Sequence, residues 1–412
     1  LSEKPLDVIF EKYLSGPRIF KDREVLRPTY IPENLPHRDK EISRVGLILA
    51  TALKSGTPSN IFVYGKTGTG KTAVIKYVLK HLAEKCTELG VSIPNYVYLN
   101  CSTVNTNYRV LAHLCETLGV DVPFTGLPTD EVYNRFISAL DSKRGLMIIV
   151  LDEVDKLVDR DGDAVLYDLT RINNSVLKKA RVSIIGISNN LKFKENLDPR
   201  VLSSLGEEEL VFPPYGALEL QDILRERAKM SFFDGVLEEP GVINLCSALA
   251  AREHGDARRA LDLLRVAGEQ AERMGASKVT EEHVKMAQNI LETDRISEVI
   301  STLPVQSKLV LYSIYLLEKN QSSKVTTGRV YSVYSDLCKI VDLETLGERR
   351  VSGLIAELDM LGIIVAKLKS EGRYGMTKKI KINVPIKQIK EILESDYHIK
   401  KVVNYMPPPY QD

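Results

Sequence analysis

Asn60-Ile61-Phe62-Val63-Tyr64-Gly65-Lys66-Thr67-Gly68-Thr69-Gly70-Lys71-Thr72-Ala73-Val74-Ile75-Lys76-Tyr77-Val78-Leu79-Lys80 is the stretch that decides the fold. Its first five residues form a short apolar run that predicts a buried parallel strand. From Ala73 onward, apolar side chains recur at helical spacing. Between them stands G-K-T-G-T-G-K-T, in the strand, glycine-rich turn and helix context that a phosphate-binding loop needs. Glycines let backbone N–H groups crowd around phosphate oxygens, and the helix N-terminus adds a favourable partial charge. Gly65, Lys66, Thr67, Gly68, Thr69 and Gly70 would form the cradle. Lys71 would reach the β- and γ-phosphates of ATP, and the Thr72 hydroxyl would ligate Mg²⁺.

Such a loop implies nucleotide binding and leaves hydrolysis open. A second element supplies the missing chemistry. Leu146-Met147-Ile148-Ile149-Val150-Leu151 is uninterrupted apolar sequence, followed at once by Asp152 and Glu153. Charges directly after a buried strand are costly unless they face a site. Asp152 is expected to hold Mg²⁺ through its hydration shell, and Glu153 to orient and deprotonate the attacking water. The apolar run Ser183–Ser188 ends in Asn189, whose amide can bond that water or the γ-phosphate, although a strand-end asparagine is equally a turn residue. Gly255-Asp256-Ala257-Arg258-Arg259 opens a helix, and Arg258 can swing back to stabilise the transferring phosphoryl charge. Without the other elements it reads as a solvated arginine.

The 412 residues exceed one ordinary core and predict two or three domains. The five scattered cysteines include no Cys-x-x-Cys pair, which argues against cysteine metal binding and a disulfide framework and fits a reducing cytosol. No apolar run is long enough to span a bilayer, and the N-terminus shows no signal-peptide pattern, so a cytoplasmic, nucleoid-associated location without a membrane partner is expected. Residues 1–40 read as an arm with a short helix and an extended segment. Candidate strands at 61–64, 96–100, 146–151, 182–187 and 210–212 alternate with helices, the pattern of a parallel α/β sheet. After Pro213-Pro214 the chain turns helical over 218–232, 241–253, 257–274 and 280–293, with Thr280 as a candidate N-cap. The expected division is 1–212 for the α/β nucleotide-binding domain with its arm, 213–296 for a helical lid, and 297–412 for a third domain.

That third domain shows helical patterns at 304–317, 327–341 and 347–361, then strand patterns at 363–368 and 379–384 around a turn at 370–375. Three helices and a hairpin are the order of a winged helix. Residues 301–412 hold 17 Lys/Arg against 12 Asp/Glu, a mildly basic end on a mildly acidic body. In the third helix Val351, Leu354, Ile355, Leu358 and Leu361 make one apolar stripe. Arg349, Arg350 and Ser352 lie on the other face, as on a helix that enters a major groove. A plain amphipathic helix with a solvated face would show the same periodicity. The hairpin tips the balance: Lys369, Arg373 and Lys378 stand among six cations against Glu371 alone between Ala366 and Lys381. Arg373 would enter a minor groove while the lysines contact phosphates.

The loop, Asp152-Glu153, Asn189 and Arg258, in this order, resemble the AAA+ ATPases. Within that class Leu35–Glu41, the Cys101–Gly119 insertion, Leu197–Val201 and Gly255–Leu264, together with a winged helix, resemble the archaeal origin-recognition and helicase-loader initiators, relatives of eukaryotic origin recognition complex subunits. The resemblance implies further ATP/ADP contacts at Tyr215 and Arg227, and a second DNA contact in the insertion around Ser102–Arg109. It implies double-stranded origin DNA, a replicative helicase and paralogous initiators as partners. Related ATPases carry a serine-arginine pair before the last core strand. Here Ser204 stands where the arginine would align, with Arg200 the nearest replacement, so hydrolysis is expected to be slow. An ATP-dependent transcription regulator and a clamp-loader-like ATPase share these features and remain as alternatives.

Overall fold

Met147 through Asp152 are buried along a strand that is apolar on both faces. Such a strand needs cover on both sides, which a parallel sheet with crossover helices provides. The computed structural model, which describes residues 17–123, 125–320, 325–370 and 376–407, contains that sheet. The chain forms two units, Leu1–Ala287 and Gln288–Asp412.

In the first unit α1 (Asp39–Leu49) precedes β1 (Ile61–Tyr64), and the glycine-rich loop leads into α2 (Lys71–Leu89). Next come β2 (Asn95–Asn100), α3 (Asn107–Thr117), α4 (Thr129–Lys143) and β3 (Gly145–Asp152). α5 (Val154–Asp161), α6 (Ala164–Ser175), β4 (Ala180–Ser188), α7 (Pro199–Leu205) and β5 (Glu208–Val211) complete the sheet region. The strands pair parallel in the order β2-β3-β4-β1-β5. Alternation along β3 sends Met147, Ile149 and Leu151 into one apolar layer with α3 to α6. Ile148 and Val150 enter the other layer, with α1 and α2. The ends of β1, β3 and β4 therefore share one sheet edge, the carboxyl edge where ligands bind in such folds.

β5 starts earlier than its apolar run, because Glu208 and Glu209 belong to it. Glu208 pairs with Arg44 at 3.2 Å, and Glu209 accepts from the Tyr64 hydroxyl at 3.2 Å and from Lys194. An edge strand accommodates charges that a hydrophobic pattern passes over. Residues 1–16, where the arm's expected short helix would begin, lie outside the described residues, and Glu24–Leu26 form a 3₁₀ turn.

The helical region comprises α8 (Ala217–Ser231), α9 (Gly241–Arg252), α10 (Ala257–Met274) and α11 (Glu281–Thr302). Asp256 caps α10, its carboxylate accepting from the Arg258 and Arg259 N–H groups at 2.8 and 3.3 Å. At the start of α11 the Thr280 N–H donates to His283 Nδ1 at 3.1 Å. α11 continues past Thr293, so the expected boundary at 296/297 falls inside a helix.

In the second unit α12 (Val305–Lys319), α13 (Thr327–Val341) and α14 (Glu348–Met360) precede an antiparallel hairpin of β6 (Ile364–Ser370) and β7 (Met376–Ile382). Ile380 N–H donates to Val325 O at 2.9 Å, adding a short third strand contact. This is a winged helix. Val351, Leu354, Ile355 and Leu358 form the buried stripe of α14, but Leu361 is 47% exposed because the helix has ended. Two helices escaped the sequence pattern, α15 (Ile386–Ser395) and α16 (Tyr397–Lys400), which bury Ile389, Leu393 and Ile399. The wing tip at 371–375, with Arg373, lies outside the described residues. No helix among the described residues is long and apolar enough to cross a membrane.

Candidate functional site

The phosphate-loop backbone depends on glycine at two positions where φ is positive, Gly68 (+72°) and Gly70 (+89°). Gly68 has a second constraint: a Cβ there would stand 1.6 Å from Asp256 Oδ1. The loop and the start of α10 are thus in close contact, and Ala257 N–H donates to Gly68 O at 3.1 Å. That contact carries Arg258 to the loop.

Lys71 is only 5% exposed, and its Nζ donates to the carbonyls of Gly65 and Lys66 at 2.8 and 2.7 Å. Burial draws its pKa down to about 8; Asp152 opposes the shift and Arg258 adds to it. At the end of β3, Asp152 Oδ2 accepts from Thr72 Oγ1 at 2.7 Å and from the Tyr98 hydroxyl at 2.6 Å. Its Oδ1 accepts from the Glu153 N–H at 3.0 Å. Glu153 holds a left-handed backbone, φ +55°, which is uncommon for a residue with a side chain and concentrates strain where the carboxylate turns out of the strand. Buried Asp155 ties down the end of β4 by accepting from Ser188 Oγ at 2.8 Å and the Asn189 N–H at 3.4 Å.

A cavity of about 350 Å³ lies over these groups. Gly68 to Thr72, Asp152, Glu153, Asn189, Tyr215, Arg227 and Arg258 line it, whereas Gly65, Lys66 and Thr67 do not. Arg258 has no side-chain ion pair among the described residues. Arg227 instead donates to Val25 O at 3.1 Å and lies 4.6 Å from the Tyr30 ring centroid, and burial lowers its pKa. The arm forms another wall through Tyr30, Ile31, Pro32 and Leu35. The roles of Tyr98, Asp155, Tyr30, Ile31 and Pro32 escaped sequence reasoning, whereas Leu35 and Arg38 belong to the Leu35–Glu41 segment that the resemblance places on the adenine side. Arg38 lay within a stretch that was legible only as a whole. Tyr98 looks like an ordinary strand aromatic until β2 is placed beside β3.

The insertion keeps its small residues close to the sheet: Ser102 N–H and Oγ both donate to Asn100 Oδ1, at 2.8 and 2.6 Å. The side chain of Arg200 is bidentate on Asp198, at 3.1 and 2.9 Å, and it does not line the cavity. Ser204 contributes its carbonyl to Asn60 Nδ2 at 2.9 Å.

In the second unit Arg349 and Arg350 are exposed, and Arg350 pairs with Glu357 at 3.5 Å. Ser352 is half-buried. Register divides the hairpin cations between two faces. Lys367 opposes Lys379 and Val365 opposes Lys381 on one face, and the backbone of Lys369 is in register with Thr377. Lys378 sits on the other face, which it shares with buried Ile380 and Ile382. The exposed lysines 367, 379 and 381 therefore form the basic side of the wing, and Lys378 lies toward the core side.

A phosphate-loop sheet with a carboxylate-tipped third strand, a helical lid and a winged helix define an AAA+ protein with a C-terminal winged-helix domain. Family models match in that order: an AAA domain over 54–192, a Cdc6 AAA+ ATPase-type lid domain over 221–289 and the CDC6 C-terminal winged helix domain over 298–392. The chain is 57% identical over 402 residues to the ORC1-type DNA replication protein of Pyrococcus abyssi, covering 97% of this chain and 95% of that protein. The structure of the Aeropyrum pernix ORC1 protein in complex with DNA is similar, with 49% identity, a TM-score of 0.83, and coverage of 93% of this chain and 99% of that one. The Aeropyrum pernix ORC2 protein, in its ADPNP-ADP complexes, shares the fold at 22% identity and a TM-score of 0.59, covering 93% and 100% of the two chains. The chain belongs to the family of ORC1-type DNA replication proteins.

Proposed function

We propose that this chain is an ATP-regulated replication initiator that binds double-stranded origin DNA and helps recruit or load the replicative helicase. The observation that carries the nucleotide half is the Thr72–Asp152 pair, 2.7 Å apart at the floor of the cavity. A hydroxyl and a carboxylate are the hard oxygen donors that suit Mg²⁺, and the loop backbone and Lys71 suit polyphosphate, so the residues fit the group. Bound Mg²⁺ would neutralise phosphate charge there. Lys71 would exchange its two carbonyl contacts for phosphate, Glu153 would orient and deprotonate the attacking water, Asn189 would position that water, and Arg258 would face the γ-phosphate. Tyr215 and Arg227 would hold the nucleoside side. With Arg200 engaged on Asp198 and serine at 204, the isolated chain would hydrolyse ATP slowly and use nucleotide state as a switch. The division at 212 between the α/β core and the helical lid, and the paralogous initiators, belong to the same proposal.

Lys71 gives this reading a pH test. A bound polyphosphate raises a nearby lysine's pKa. A group whose pKa rises on binding supports affinity fully below its free value and progressively less above it. Affinity for ADP in EDTA is therefore expected to fall above about pH 8, by up to roughly tenfold per unit. Calorimetry in two buffers of different ionisation heat should register proton uptake in that range. Affinity that climbs with pH would remove Lys71 from the phosphate site.

The DNA half rests on the lysine face of the wing and on the Aeropyrum pernix ORC1 protein, whose structure holds DNA. Arg349, Arg350 and Ser352 would read the major groove, Arg373 would enter a minor groove, and Lys369 and Lys378 would contact phosphates. Lys379→Glu/Lys381→Glu is expected to weaken binding to origin duplex by more than tenfold and to reduce the salt slope by roughly two. ADP affinity should stay unchanged. DNA titrations with ATP and with ADP across a salt series measure this, and wild-type affinity in the double variant would count against the winged helix as the DNA-binding element.

A further inference from the structure

Beside the loop and the β3 carboxylates, a side chain from outside either motif reaches Asp152. Tyr98 lies on β2, in register with Val150 of β3, so its side chain and that of Asp152 project to the same face. Its hydroxyl donates to Asp152 Oδ2 at 2.6 Å. Lys76, one turn beyond Thr72 on α2, places its ammonium 4.0 Å from the Tyr98 ring centroid.

We infer that Tyr98 is a positioning residue that presets the Asp152 carboxylate for the metal–nucleotide complex, with Lys76 bracing the ring. The inference rests on the nucleotide reading above. Both Asp152 oxygens are held: Oδ1 by the Glu153 N–H, and Oδ2 by the hydroxyls of Thr72 and Tyr98. Thr72 is itself assigned to the metal, so its hydroxyl has a competing use. Tyr98 has none, and it is the side chain left to fix Oδ2. Hydrogen-bond partners of a metal-binding carboxylate orient it, and their loss typically weakens metal binding about 10–100-fold. A tyrosine acting only as a wall of the cavity would serve through its ring, and phenylalanine would replace it without cost.

The test uses the full chain and a non-hydrolysable ATP analogue, titrated in EDTA and in Mg²⁺, with Mn²⁺ affinity of the analogue complex read by electron paramagnetic resonance. Tyr98→Phe should keep analogue affinity in EDTA within about twofold of wild type. It should lower Mn²⁺ affinity and the Mg²⁺-dependent gain roughly tenfold. Lys76→Met should lower both by less, roughly threefold. Wild-type Mn²⁺ affinity in Tyr98→Phe overturns the inference and makes Tyr98 a pocket wall, and an equal loss with and without metal overturns it too, by making the hydroxyl a contact of the nucleotide itself. A wild-type chain that binds no analogue overturns the nucleotide reading and this inference with it.

Discussion

Gly68→Ala is expected to abolish measurable nucleotide binding, a loss of at least a hundredfold in affinity, or about 3 kcal/mol. Two independent costs meet at this position. Its φ of +72° belongs to the left-handed region, where a side chain costs on the order of 1–2 kcal/mol. Its Cβ would also stand 1.6 Å from Asp256 Oδ1 and 2.2 Å from Asp256 Cγ, a separation no rotamer adjustment of alanine can open. The Asp256 carboxylate must swing away. Moving Asp256 uncaps α10 by taking its carboxylate from the Arg258 and Arg259 N–H groups. Fluorescent ADP titration measures the loss. Adding Asp256→Gly should recover part of it by clearing the clash, while the backbone strain and the lost cap remain. Near-normal binding by Gly68→Ala alone would mean that loop and lid do not make this contact in solution.

That prediction shows where the sequence was legible and where it stopped. Gly65–Thr72, Leu146–Glu153 and Gly255–Arg259 each carry a local pattern, a turn, a buried strand or a cap, that physical chemistry ties to one geometry. The contact of Asp256 with Gly68 joins residues far apart in the chain, and neither residue announces the other. The same holds for Tyr98, which acquires its role from the parallel register of β2 on β3, and for Asp155, which meets Ser188 only because β4 lies beside β3. β5 was mis-placed for another reason: paired glutamates on an edge strand erase the apolar period. In the wing, charge counting found the lysines, but only pairing register separates Lys379 and Lys381 from Lys378. α15 and α16 were passed over because their few buried residues, Ile389, Leu393 and Ile399, are spread among charges.

Arg38→Ala should be the most destabilising single change near the site, by about 3 kcal/mol. The residue is 2% exposed, although it carries a permanent charge. His37 adopts φ +62° and turns the chain so that Arg38 points inward. Its guanidinium donates to Thr69 O at 2.9 Å, Pro213 O at 2.8 Å and His37 O at 3.1 Å. It also stacks on Tyr215, 3.8 Å from the ring centroid. One planar group thus joins the segment before α1, the phosphate loop and the start of the lid. Alanine would leave buried carbonyls unsatisfied and Tyr215 without its stacking partner, at the wall of the cavity. The melting transition of the first unit is expected to fall by roughly 6–12 °C, and ADP affinity to drop at least tenfold. Lysine at this position keeps the charge but lacks the fork that serves three acceptors at once, so Arg38→Lys should recover only a minor part of either loss. Scanning calorimetry with and without ADP separates the two effects. A charge-only role predicts that lysine restores both, and that result would displace the guanidinium from the centre of the loop–lid connection.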